Sequence, residues 1–411
     1  MISSLQLQNF RAISALDLSF QSAATDAANS DISTSSRILF YGANAQGKTS
    51  ILEGLHLLLT GRSFKTSFLD QLIGPYDTAL LARGVIHLSH QQDISRHQLG
   101  IQKIKKSQLR VSMDGNAVKS SMVLARLLPV QVIDHQSLQL IVGEPGIRRR
   151  FLDWGVFHVE RSYGPLFKKW QSTLAQRNAS LKELKRHAGP AEEKELRAWT
   201  EAFIDHSVQL ARVRQAYFDG YTQYLRAQSD AAVEQSSVGI PVAGIEALSL
   251  KLKHGFGFDN SQADSDLMAD FREELLAKRD YEIVTGRTYS GPQRADIVIA
   301  TEEYAAKDVL SRGQCKMASA LLLLRQVQHL RHSAAGSRTA VLVDDLTAEL
   351  DQDRSATLLA ELSNSCSQVF ITALAGQPEE LPDFLRHFNE APLSAMFHVE
   401  HGQAQRILST K

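Results

Sequence analysis

Cysteine is nearly missing from this 411-residue chain, and its two residues, Cys315 and Cys366, stand at no spacing that suits a metal or a disulfide framework. Both read as small buried side chains, with Cys315 the more open to oxidation because it sits beside a helix start. Long apolar runs are missing as well. No stretch approaches the roughly 18 residues of a membrane span, and Met1 leads straight into a strand pattern rather than a signal peptide. The expectation is a cytoplasmic protein with no membrane association. An excess of one charge is also lacking, since 45 Lys and Arg balance 45 Asp and Glu. A nucleic acid would have to be met by local basic patches, not by the field of the whole chain. No internal repeat and no sustained heptad run is visible, which excludes a solenoid and a long coiled coil. What remains is ordinary globular material, 43% hydrophobic and 22% charged, long enough to divide into two domains.

What is present is a nucleotide site in three pieces. The first is GANAQGKT: Gly42, Ala43, Asn44, Ala45, Gln46, Gly47, Lys48 and Thr49. The run RILFY before it supplies a strand. After it, Ser50, Ile51, Leu52, Leu55 and Leu58 continue with helical spacing. In this strand, loop and helix order the glycines let backbone N–H groups face phosphates, Lys48 reaches the outer oxygens and Thr49 holds Mg2+. Ser50 lies in the first helical turn, whose unpaired donors favour an anion.

The second piece is VLVDDLTAELD, Val341 to Asp351, an apolar strand from Ala340 to Val343 that ends in two carboxylates. Alone it would read as a core strand ending in solvated aspartates. Beside a phosphate loop, Asp344 is a magnesium ligand, because a hard cation bridging phosphates takes oxygen donors. Asp345 would then orient or deprotonate the attacking water, with Lys48 and Asp344 as its catalytic neighbours.

The third piece, LSRGQ at Leu310 to Gln314, opens a helix with an apolar face of Met317, Ala320, Leu321, Leu324, Val327 and Leu330. Its start would present Ser311, the Gly313 backbone and a positive dipole end to an anion. One subunit already surrounds its own phosphates with the first loop. The second anion-binding end is therefore free for a partner's γ-phosphate, and the site closes as a pair. A plain helix capped by Ser311 is the competing reading. The 30 residues from Gln314 to Asp344 (344 minus 314) favour the functional one.

The order of these motifs resembles the ABC-type ATPases, and the surrounding text resembles one branch closely, the bacterial RecF recombination and repair family. The matching segments are LQLQNFRAI, GANAQGKTSILEGLHLLLTGRSFKT, IRRRFLDWGVFH, LAQRNASLK, TGRTYSGPQRADI, KDVLSRGQCK and VLVDDLTAELD, spread over nearly the whole chain. The resemblance implies an α/β fold: an ABC-type ATPase head with a phosphate loop and mixed sheet, plus a second, mostly helical lobe. It implies a weak ATPase using ATP and Mg2+ that binds DNA without reading sequence and forms an ATP-dependent homodimer at gaps or single-strand to duplex junctions. RecR and RecO type mediators would be partners, with RecA loaded indirectly. It places Arg11 near the phosphates, matches Lys48 and Thr49 to the loop, and has Ser311, Gly313 and Gln314 presented in trans. It gives Asp344 and Asp345 the metal and catalytic roles, and takes Ala348 to Asp351 across the dimer seam.

The chain also departs from that pattern. Ala373 follows the strand Gln368 to Thr372 where many such ATPases carry a switch histidine, and Asp345 stands for the glutamate usual in transporters. Both point to slow hydrolysis. Gln293 replaces the family's histidine in GPQRAD, and Gln131 and Gln136 are both candidates for the glutamine that usually follows the lobe-joining strand.

DNA candidates are the basic runs Lys103, Lys105 and Lys106; Arg148, Arg149 and Arg150; and a helix carrying Lys168, Lys169, Arg177, Lys182, Lys185 and Arg186. Such side chains bind phosphates with salt-sensitive affinity. Residues 1–80 and 270–411 are expected to form the ATPase lobe, with a flexible polar insertion at 22–36, 81–147 its strand-rich part, and 148–269 the helical lobe carrying the signature side. An aspartate base with no histidine favours an ATP-timed DNA clamp over an enzyme whose purpose is turnover, and the long inserted lobe and basic helix argue against a transporter motor. The competing functions are the cytoplasmic motor of a membrane transporter and a nucleotide-dependent protein scaffold without DNA binding.

Overall fold

A computed structural model describes residues 1–20, 36–90, 93–118, 120–228, 248–301, 304–333, 338–345, 352–365, 368–386 and 394–407. The chain divides into two compact units, residues 1–138 with 316–411, and residues 139–315. The segment 270–315, assigned above to the ATPase lobe, thus falls in the second unit.

The first unit is built on two six-stranded sheets. One is antiparallel, in the order Ile13–Ser19, Ile2–Phe10, Ala79–His90, Asp93–Ile104, Arg110–Met113, Asn116–Ala117. Its first hairpin sets Leu5 against Leu18 and Leu7 against Leu16, as their alternation requires. In the other sheet, Val130–Ile133, Ala340–Val343, Gln368–Leu374, Ser36–Gly42 and Ser394–Glu400 run parallel, and Gln403–Ile407 closes an antiparallel hairpin at the edge. Apolar runs such as ILFY and AVLV are what strands covered on both faces need. The expected insertion starts outside the described residues, and its last residue, Ser36, is a correction: it is buried and opens a strand.

The helix Lys48–Thr60 contributes Ile51, Leu52, Leu55, Leu57, Leu58 and Leu59 to a core that also holds Leu5 and Leu7 from the first sheet and Phe40 and Phe370 from the second. Gly54 makes room there, since a Cβ would meet Leu7 Cδ1 at 2.7 Å and the leucine would have to shift.

The second unit carries the long helices Pro145–Val159, Tyr163–Arg186 and Pro190–Gln228, shorter helices at Asp264–Ala277 and Arg279–Thr285, and a three-stranded antiparallel sheet of Leu248–Lys253, Asp296–Thr301 and Tyr304–Ala305. The helix Arg312–Ser333 begins in this unit and continues in the first. Two buried arginines organise the second unit. Arg214 donates to both carboxylate oxygens of Asp153 (2.9 and 3.0 Å) and to Pro292 O (3.0 Å), while Arg177 donates to Glu282 Oε2 (2.7 Å) and Thr288 Oγ1 (2.6 Å). Buried charges persist only when paired and hydrogen-bonded in this way.

Candidate nucleotide site

The strand Ser36–Gly42 lies inside the parallel sheet and delivers its C-terminal end to the loop 42–47, from which the helix Lys48–Thr60 departs. Ala45 (φ 62) and Gly47 (φ 108) take left-handed conformations that turn the chain sharply. No backbone N–H from Asn44 to Ser50 donates a hydrogen bond among the described residues. Unpaired donors at a helix start are what a phosphate needs. Lys48 Nζ donates to the loop carbonyls Gly42 O (2.6 Å) and Ala43 O (2.7 Å), so its ammonium is folded back over the loop.

The acidic strand converges on the same place. Thr49 Oγ1 donates to Asp344 Oδ1 at 2.8 Å, although 295 residues separate them in sequence. Beside this pair is a cavity of about 370 Å³ whose lining includes Lys65, Asp134, His135, Lys316 and Asp345. Among the described residues no cluster of three His, Cys, Asp or Glu side chains could hold a metal by itself. A hydroxyl and a single carboxylate suit Mg2+, which retains water and phosphate oxygens in its shell.

Charge in the site is mutually tuned. Burial lowers the Lys48 pKa, opposed by the carboxylates of Asp345 and Asp344. Burial and the adjacent Asp344 raise that of Asp345, with Lys48 pulling the other way. Burial also raises Asp134. Asp345 has a positive φ of 58, an uncommon backbone state for a residue at the end of a strand.

Besides Asp134, His135 and Lys316 of the cavity lining, two residues that touch the aspartates escaped the sequence reading. Thr372, on the neighbouring parallel strand, donates Oγ1–H to Asp344 Oδ1 (2.9 Å) and accepts the Asp345 N–H (2.7 Å). One buried hydroxyl thus ties both aspartates. Lys65 brings Nζ to 3.8 Å from Asp344 Oδ2. Its only sequence signal was its place in GRSFKT, downstream of the phosphate-loop helix.

Arg11, with φ 53, is gripped through Nε and Nη2 by the buried Glu53, which leaves the Nη1 donors of its guanidinium for an anion. Ser311 and Gln314 form a reciprocal cap: Ser311 N–H donates to Gln314 Oε1 (2.9 Å) and Gln314 N–H to Ser311 Oγ (3.3 Å). The cap fixes the start of the helix Arg312–Ser333 and leaves Ser311 exposed, with Gly313 half-buried. Ser311, Gly313 and Gln314 belong to the second unit, while the phosphate loop, Asp344 and Asp345 belong to the first. Ala348 to Asp351 lie outside the described residues, as does Cys366. Cys315 is buried, and burial raises its thiol pKa. Gln131 lies within its strand and donates to Val132 O, and Gln136 is exposed. Asp134, His135 and Ser137 line the cavity in their stead.

The DNA candidates separate by what already holds them. Arg149 donates to Ala295 O (2.7 Å), Arg148 pairs with Asp296, Arg177 is buried, and Lys103 is buried against Asp70. These cations are engaged within the fold, a correction to counting them as a surface. Lys105 is exposed but donates to Asp77 O (3.0 Å), whereas Lys106, Lys168, Lys169 and Lys182 are exposed.

Residues 2–384 match the family model of the RecF/RecN/SMC N terminal domain. The chain is 34% identical over 379 residues to a DNA replication and repair protein RecF of Hahella chejuensis, covering 92% of this chain and 95% of that one. It is 35% identical to the protein of the same name from Pseudomonas aeruginosa (91% and 93% covered) and 31% identical to that of Shewanella oneidensis (90% and 92%). Two solved structures of a recombination mediator protein RecF of the RecFOR pathway, RecF-ATPrS and RecF-ATP, share the fold, with TM-scores of 0.79 and 0.80 at 21% identity. They cover 99% of this chain, and 98% and 97% of their own.

Proposed function

Because the chain belongs to the RecF family of DNA replication and repair proteins, within the wider RecF/RecN/SMC group, we propose that it is an ATP-timed DNA clamp of recombinational repair and replication restart. Two copies pair on ATP at gapped DNA or single-strand to duplex junctions, act with RecR and RecO type mediators in loading RecA, and separate after slow hydrolysis. The observation that carries this reading is the meeting of Thr49 Oγ1 with Asp344 Oδ1 at 2.8 Å beside a row of unpaired backbone donors.

When bound, ATP and Mg2+ would supply the reactive triphosphate and the charge that polarises its outer oxygens. The N–H groups of residues 44–50 would bind those oxygens, and Lys48 would leave the carbonyls of Gly42 and Ala43 to join them. Thr49 and Asp344 would hold the metal. Asp345 would orient the attacking water and take its proton, from a short arm and without a histidine at Ala373, which favours a slow step. Ser311, the Gly313 backbone and Gln314 of a second copy would complete the site from across the seam. The difference in γ-phosphate contacts between the open and closed states is what moves the population toward the pair.

The test is binding to gapped, single-stranded and blunt duplex DNA, with and without ATP, at two salt concentrations. The clamp reading expects ATP to tighten binding to gapped DNA most, and higher salt to weaken all binding in proportion to the phosphates contacted. Binding that ignores ATP, or no DNA binding at all, would favour a scaffold. Among the described residues no helix is long and apolar enough to cross a membrane.

A further inference from the structure

The loop Gly286–Arg294, GRTYSGPQR, is held from behind far more firmly than a connecting segment requires. Thr288 accepts from Arg177 Nη1 (2.6 Å) and also donates to Asn178 Oδ1 (2.8 Å). Tyr289 N–H donates to the buried Glu282 (2.6 Å), and Pro292 O accepts from the buried Arg214 (3.0 Å). Gln293 folds back on Ser290 O (3.0 Å). Along the loop Thr288, Ser290 and Pro292 are buried, whereas Arg287 and Arg294 are exposed.

The exposed side has its own chemistry. Arg294 stacks its guanidinium over Tyr289, 5.2 Å from the ring centroid, and Tyr289 lies 4.8 Å from Tyr281, which is 58% exposed. Arg287 is exposed. Lys182 packs its aliphatic stem against Gly286, and Lys185 donates to Val284 O, so two more exposed cations flank the loop. The neighbouring carboxylates already face cations of their own: Glu282 pairs with Arg177, Asp280 with Arg279, and Glu183 with Arg186.

We propose that this face, Arg287, Tyr289, Arg294 and Tyr281 with Lys182 beside them, is a contact site for single-stranded DNA. The proposal rests on the DNA-binding reading above. Cations on a preset backbone suit phosphates without reading sequence, and the Tyr281 ring, backed by Tyr289, offers a stacking surface to an unpaired base. A duplex hides its bases and would use the cations alone. Loss of freedom on binding is small, because the loop is already fixed.

The test compares the unsubstituted chain with R287E/R294E and Tyr281→Ala, by fluorescence anisotropy on an oligothymidylate, a blunt duplex and a polyglutamate peptide. All three substituted positions are exposed, and an unchanged thermal midpoint and DNA-free ATP hydrolysis would report an intact fold. R287E/R294E should weaken oligothymidylate binding roughly ten-fold or more, and the log affinity against log salt slope should fall by about 1.4, or 0.7 for each lost phosphate contact. Tyr281→Ala should weaken it roughly five-fold or more, as loss of a stacked base does, with the duplex little affected. Oligothymidylate binding unchanged in R287E/R294E would overturn the assignment. Equal loss on the duplex in Tyr281→Ala would also overturn it, because a duplex has no unpaired base to stack, as would loss in R287E/R294E confined to polyglutamate, which would mark an acidic protein as the partner. Failure of the unsubstituted chain to bind any DNA would instead defeat the clamp reading itself.

Discussion

Thr372 holds Asp344 and Asp345 in register through one hydroxyl, and neither aspartate can shift without breaking a bond to it. Thr372→Val keeps the shape but leaves the Asp345 N–H without its acceptor, a loss on the order of 1–3 kcal/mol for a buried donor. ATP hydrolysis should slow by roughly ten-fold, about 1.4 kcal/mol, while ATP binding changes little and Thr372→Ser restores turnover. Full activity in Thr372→Val would show that the tie does not matter. The residues of GANAQGKT were legible because each answers a local demand: positive φ at Gly47, backbone donors left without acceptors at a helix start, and a lysine long enough to reach over the loop. Thr372 was not, since its partners lie on a parallel neighbour strand and a lone threonine in an apolar run carries no period. Arg11 was legible as a motif residue only. Its hold on Glu53 depends on how the helix Lys48–Thr60 packs against the first hairpin.

At the scale of elements, the helix Tyr163–Arg186 is tied to the loop Gly286–Arg294 through Arg177 and Glu282, both almost fully buried. Arg177→Met should destabilise the second unit by about 3–5 kcal/mol, the usual consequence of stranding one member of a buried pair, and a lowered melting transition would register it. A melting temperature equal to that of the unsubstituted chain would mean that the pair adds no stability there. Most elements were readable from period alone: the first hairpin from its alternation, the long helices of the second unit from their apolar spacing, and the helix after LSRGQ from Met317 to Leu330. The division between units was less so. Residues 270–315 look like a return to the ATPase lobe in sequence, yet Asp296–Thr301 pairs with Leu248–Lys253 and Arg148 reaches Asp296. Those long-range contacts fix the boundary, and no local pattern reveals them.

For the whole molecule, the phosphate loop and paired aspartates lie in one unit and the Ser311 to Gln314 helix start in the other. On the clamp proposal, a neutral chain with exposed basic side chains on selected faces would engage DNA where a phosphate path meets those faces and release it when pairing ends. Sedimentation with a slowly cleaved ATP mimic tests the pairing most directly. Dimers should form for the unsubstituted chain and persist with ATP itself in Asp345→Asn, while Ser311→Arg binds the nucleotide and stays monomeric. A chain that remains strictly monomeric at high concentration and on DNA, or a Ser311→Arg variant that dimerises normally, would contradict closure of the site in trans.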